Sequence, residues 1–143
     1  MKFLDNYQEE SYALLRIMSG FLFIWHGAQK FFNFPIDFPY GPLNPLMTAA
    51  GGIELIGGIL IMVGLFTRPV AFICSGTMAV AYWMAHGLNN FFPIANGGEI
   101  ATLFCFIFLF IAVRGAGIWS VDKSQRETIF IYDIALVNSL NPQ

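Results

Sequence analysis

Charge is what this sequence has least of. Only 11% of its 143 residues are Asp, Glu, Lys or Arg, against roughly 25% in a soluble domain. Disorder is excluded, because a disordered chain combines low hydrophobicity with high net charge. There is no basic excess either. Seven Lys and Arg stand against nine Asp and Glu, for a net charge of −2, which provides no surface for nucleic acid. Cysteine is scarce as well. Cys74 and Cys105 form no CxxC pair and lie in separate apolar runs. Neither a disulfide framework nor a thiolate metal or iron–sulfur site is expected, and both read as small hydrophobes. No Rossmann or P-loop glycine spacing occurs, so no flavin or nucleotide motif is present. The N-terminal MKFLDNYQEESY has no basic start followed by an apolar run, so no cleavable signal peptide is expected.

What fills the chain instead is apolar. Hydrophobic residues make up 57% and aromatics 17%, and mean hydropathy is +0.64. The lipid bilayer is therefore the expected solvent. A helix crosses it with about 20 mostly apolar residues. Four such runs are present, at 12–32, 46–66, 69–88 and 98–119. Turn signals separate them: FPIDFPYGPLNP, then TRP, then NNFFPIANGG. The expected fold is all-α, a single four-helix transmembrane bundle running up-down-up-down over residues 1–143. Its tail, 120–143, is cytoplasmic, and the apolar stretch TIFIYDIALV within it is too short for a fifth span. That stretch is expected on the inner membrane surface or against the bundle.

Lys and Arg placement sets the orientation. With both termini cytoplasmic, Lys2, Arg16, Arg68, Arg114, Lys123 and Arg126 fall on the inner side, and Lys30 alone on the outer. Arg16 and Arg114 sit at inner helix ends, where long stems allow snorkelling to headgroups.

The other ionisable residues in the spans gather differently. His26 and Lys30 occupy the outer half of the first helix. Glu54 lies about 12 Å into the second, at about 1.5 Å rise per residue. His86 and Glu99 mark the outer ends of the third and fourth. The alternation of helix direction alone puts all of them in one layer. His26, Gln29 and Lys30 share a helix face. Glu54 shares its face with Ala50, Gly51, Gly57 and Gly58, a small-residue stripe that admits a close neighbour. His86 shares a face with Tyr82, and Glu99 follows Asn96-Gly97-Gly98 in a first helical turn, where the dipole favours a carboxylate. Buried charges pair or neutralise, and Glu54 is a natural partner for Lys30. Two readings of the layer stand side by side. It holds a ligand through His26, Gln29, Lys30, Glu54, Tyr82, His86, Asn96 and Glu99, or it only fixes helix register. The aromatic, Pro-rich loop FFNFPIDFPYGPLNP could cover such a site as a lid.

These residues resemble a known family. RIMSGFLFIWHGAQKFF at 16–32 is similar to the Arg…Gly…His-Gly-x-x-Lys first helix of the DoxX membrane proteins. GGIELIGGILIMVGLFTRPVA at 51–71 resembles their second helix and turn. AVAYWMAHG at 79–87 and NGGEIATLFCFIFLFIAVRGAGIWSVD at 96–122 resemble their third and fourth. The resemblance implies the four-helix fold, the bacterial cytoplasmic membrane and a link to quinone or redox chemistry. Family relatives include the small membrane part of thiosulfate:quinone oxidoreductases, proteins of thiol-oxidative stress and quinone detoxification, and animal receptor-assembly chaperones.

The expected cofactor is thus a quinone. A quinone needs hydrogen-bond partners for two carbonyls and a proton route. His26 and Glu54 would bind and couple protons, Lys30 would polarise a carbonyl, and His86 or Glu99 would relay protons outward. The electron donor would be a partner protein, with the bilayer and a homo-oligomer as further partners. The competing reading is a non-enzymatic assembly subunit. Metal binding by His26, Glu54, His86 and Glu99, haem ligation by the two histidines, and small-solute transport stand behind these. No metal motif is present, and the Lys30 charge would repel a cation.

Overall fold

The computed structural model describes residues 2–140, with side chains over 3–132. Within them every regular element is helical. A 3-10 turn at Lys2–Tyr7 leads into α1 (Gln8–Phe32). A loop follows, then α2 (Pro45–Val63). Next come α3, regular over Thr67–Ala81 and continued by a π-helical stretch at Tyr82–Gly87, the short α4 (Pro93–Asn96), α5 (Glu99–Arg114) and α6 (Val121–Leu140). Among the described residues one helix, α2, is by itself long and apolar enough to cross a membrane, with a mean hydropathy of 2.0. α5 has only 16 residues, about 24 Å at about 1.5 Å each. The run expected to reach 119 stops at Arg114 because Gly115 adopts a φ of 92°. The tail is a continuous helix from Val121, longer than its ten-residue apolar stretch required.

Local chemistry sets the ends. Asn44 caps α2 by accepting from the Met47 N–H at 2.8 Å, with Pro45 in the first turn. Gly64, at φ 71°, closes α2. Its N–H reaches Ile61 O, and the Leu65 N–H reaches Leu60 O, the Schellman pattern. Glycine is required here twice over, since a Cβ would also run into Ser120 Cβ.

The helices pack as a ring. α1 lies along α2, α2 touches α3, and α3 packs extensively on α5. The aromatics close the circle: Phe23 of α1 meets Phe108 of α5 at 4.7 Å between ring centres, and Phe104 stacks on Phe108. Ile61, Ala71, Cys74, Met78 and Ile111 complete this core. The α1–α2 contact is backbone against backbone. A Cβ on Gly20 would lie 2.6 Å from Gly58 O, and one on Gly27 2.7 Å from Gly51 O. The small-residue stripe of α2 therefore divides. Gly51 and Gly58 face α1, and Gly57 faces Cys74 on α3.

One end of the bundle is tied by side chains that reach the ends of other helices. Arg16 does not snorkel outward. It is fully buried, and its guanidinium donates to Ile61 O and Met62 O at 2.7 Å, to Trp119 O at 2.7 Å and to Ile118 O at 3.3 Å. The unsatisfied carbonyls at the end of α2 offer it better partners than headgroups would. Arg68, at the start of α3, does the same for α5 through Ala112 O, Val113 O and Arg114 O. Arg114 pairs with Glu9 and lies 4.4 Å above the Tyr12 ring. The Tyr12 hydroxyl donates to Gly115 O.

Asp122 completes this set from a distance in sequence. Its carboxylate accepts from the Phe66 N–H at 2.8 Å and the Thr67 N–H at 2.9 Å, capping α3. Partial burial pushes the carboxyl up, and the Thr67 and Phe66 donors outweigh it, holding it below the usual carboxylate range. A folded-state pKa below the unfolded one gives stability above the unfolded value, lost as pH falls through the folded one. Asp122→Ala is expected to cost about 1 kcal/mol at neutral pH. The wild type's melting temperature should fall towards the variant's below about pH 4. Melting curves in detergent across pH check this, and parallel curves for the two proteins would remove the capping role.

Candidate functional site

The opposite end of the bundle holds the residues singled out by their chemistry. The structure gathers them into two groups and leaves one apart.

The first group lies between α1 and α2. Lys30 Nζ donates to Glu54 Oε2 at 2.6 Å. Glu54 is 4% exposed, and the Lys30 side chain 16%. The α1–α2 contact explains the burial: glycines bring the backbones together, and Gly51 packs under the Lys30 stem. Over this pair sits the 33–44 loop. Phe38 lies 5.8 Å from Lys30 Nζ, and Gln29 Nε2 donates to Asp37 O at 3.1 Å. Asn33 Oδ1 accepts from the Phe38 N–H, which holds the loop in place. The aromatic loop therefore reaches Lys30 and Gln29. His26 is half-buried, one turn before Lys30. Its ring stands edge-on to Phe104 of α5, 5.9 Å between centres, and among the described residues neither ring nitrogen has a hydrogen-bond partner.

The second group joins α3, α4 and the loop between them. His86 Nδ1 lies 2.9 Å from Asn96 O. Asn96 Nδ2 donates to Asn90 O at 2.6 Å and to the Tyr82 hydroxyl at 3.3 Å, and that hydroxyl donates to Phe91 O. Asn96 Oδ1 takes the Gly98 N–H at the entrance to α5. With the His86 proton on Nδ1, Nε2 remains an acceptor. Asn96 and Tyr82 here organise a loop. Glu99 opens α5 as expected, but it is exposed and its carboxylate has no side-chain partner among the described residues.

Among the described residues no three His, Cys, Asp or Glu side chains come close enough to hold an ion. Sharing a layer did not bring His86 and Glu99 to Glu54, because the first ends in its own loop network and the second points outward.

Two further features carry no clear signature in the residue order. Glu54 and His86 each sit in a π-helical stretch, Ile53–Gly57 and Tyr82–Gly87. Such turns recur at functional positions, where the wider coil re-aims a side chain. Phe104, the partner of His26, was visible only as part of an apolar run. Its spacing of four from Phe108 is the one signal that marks an inward face.

Known proteins resemble this chain over most of its length. An uncharacterized protein of Haemophilus influenzae is 45% identical over 129 residues, covering 86% of this chain and 96% of its own length. No solved structure matches the chain. The DoxX family profile matches residues 11–87, which span α1, α2 and α3 and so include His26, Lys30, Glu54, Tyr82 and His86. The chain belongs to the DoxX family.

Proposed function

We propose that this protein is a multi-pass component of the bacterial cytoplasmic membrane that binds a quinone at the Lys30–Glu54 end of the bundle and works with a redox partner protein. The membrane part of this reading is supported by the exposed surface. Leu14, Phe21, Ile59, Phe72, Leu103 and Phe110 are all exposed, far beyond the apolar patches of a soluble monomer. In this reading α1, α2, α3 and α5 cross the bilayer with both termini cytoplasmic, and the short α5 is accommodated by local thinning or by flanking anchors.

The observation that carries the quinone reading is the combination of one engaged pair and one unengaged ring. Lys30 and Glu54 form a buried charge pair, and the neighbouring His26, beside the aromatic ring of Phe104, holds two nitrogens uncommitted among the described residues. A quinone carbonyl would accept from Lys30 or from the ring N–H of His26, and Phe104 and Phe38 would flank the ring. Glu54, exchanging its proton with Lys30 or His26, would couple reduction to proton uptake. Electrons would come from the partner.

The 2.6 Å Lys30–Glu54 contact also favours a second reading, a non-enzymatic assembly subunit in which the pair only fixes the register of α1 on α2. One experiment separates the two. Purified in mild detergent, the wild type is expected to carry near-stoichiometric quinone by mass spectrometry, and Glu54→Gln and His26→Ala to retain about tenfold less, the loss of one charge-assisted hydrogen bond. Folded wild type without quinone, even after quinone is added back, would leave the assembly reading.

A further inference from the structure

The opposite end of the molecule holds a second candidate site, unconnected with the quinone. A recess of about 300 Å³ is lined by Glu9, Gly117, Ile118, Lys123, Arg126 and Glu127. This volume is at the small end of ligand pockets. Its walls come from the start of α1, the α5–α6 loop and the first two turns of α6.

The charges in it are of both signs, and they are incompletely used. Arg126 donates only its Nε, to Asp122 O at 3.3 Å, so among the described residues both terminal amino groups of its guanidinium are uncommitted. Lys123 stands 3.8 Å from Glu127, a loose pair with both side chains well exposed. Glu9 gives Oε1 to Arg114 and keeps Oε2. The recess thus offers a guanidinium and an ammonium to an anion, and two carboxylate groups to a cation. A guanidinium fork matches phosphate oxygens.

Its level in the fold fixes the source of such a ligand. The apolar helices end immediately above, at Arg114 and Val63, and Trp119, 59% exposed, borders the loop. Tryptophan marks the headgroup zone of a bilayer. We infer that this recess binds the headgroup of a phospholipid that carries both a phosphodiester and a primary ammonium, as phosphatidylethanolamine does. Lys123 and Arg126 take the phosphate, and Glu127 and Glu9 take the ammonium. The inference rests on the membrane reading above but not on the quinone.

The test uses the full chain reconstituted in nanodiscs of equimolar phosphatidylethanolamine, phosphatidylglycerol and phosphatidylcholine, released into native mass spectrometry. Phosphatidylethanolamine is expected to be retained about tenfold over the other two, one charge-assisted hydrogen bond's worth. Lys123→Gln with Arg126→Gln should abolish retention of phosphatidylethanolamine. Glu127→Gln should erase its advantage over phosphatidylglycerol. These side chains are exposed, so melting curves of the variants should match the wild type. Equal retention of the three lipids, or a preference that survives in the variants, overturns the proposal. So does competition by soluble glycerophosphoethanolamine as effective as the lipid, which would point to a free metabolite. A chain that fails to enter nanodiscs overturns this proposal and the membrane reading together.

Discussion

Arg16→Met is expected to destabilise the protein by about 3–5 kcal/mol, the scale of removing one partner from a buried charged network. The side chain is fully buried and donates to four carbonyls, two at the end of α2 and two in the α5–α6 loop. Methionine fills much of the volume and returns no donors. The carbonyls that water cannot reach then bear the cost of lost hydrogen bonds. Arg16→Lys should recover only part of the loss, because an ammonium cannot span two pairs of acceptors as the planar guanidinium does. Thermal melting in detergent measures both. An Arg16→Met protein that melts with the wild type would show that the α2 end and the α5–α6 loop are held by something else.

Glu54→Ala should lose about 3–5 kcal/mol as well, since it leaves the Lys30 ammonium buried without its partner. Lys30→Met should cost less, because a lone carboxyl can take up a proton and become neutral. The double variant Lys30→Met with Glu54→Leu is expected to regain most of the stability. Replacing a buried pair by apolar groups of similar size is often neutral, and residues in direct contact couple by about 0.5–3 kcal/mol. Bound quinone then tells the two functional readings apart. A stable double variant without quinone marks the pair as part of the site. A stable double variant that keeps its quinone marks it as a register device and returns attention to His26.

Much of this architecture could be read from residue order. Four apolar runs separated by Gly, Pro and Asn gave the helices, because these residues interrupt backbone hydrogen bonding wherever they fall. The partnership of Lys30 with Glu54 was legible because a buried charge needs a partner and few were available. The close approach of α1 to α2 was legible from the glycines, whose missing side chains leave room for a backbone. The loop over the pair could be anticipated from its aromatics but not its hold on Lys30, which depends on where Phe38 points.

The Arg16 end of the bundle was the harder part. In sequence Arg16 reads as a side chain that reaches for headgroups, because a long cationic side chain near a helix end usually does. Its actual partners lie 45 residues or more away in sequence, and no local pattern announces them. Asp122 capping α3 from 55 residues away is the same kind of fact. The π-helical stretches under Glu54 and His86 left no mark in the sequence either.

By itself, then, the sequence determined that the protein is all-helical and apolar, that it resembles the DoxX proteins, and which few ionisable side chains stand in or beside its apolar runs. The helices and the charged positions follow from composition and local spacing, the family from the motifs that resemble it. Tertiary structure alone decided which of these side chains meet. It paired Lys30 with Glu54, turned His26 to Phe104, tied His86 into a loop and left Glu99 outside. Helical periodicity fixes the face on which a residue stands, but not which neighbouring helix that face meets or at what height. Those are set by how the glycines and aromatics of all the helices pack at once.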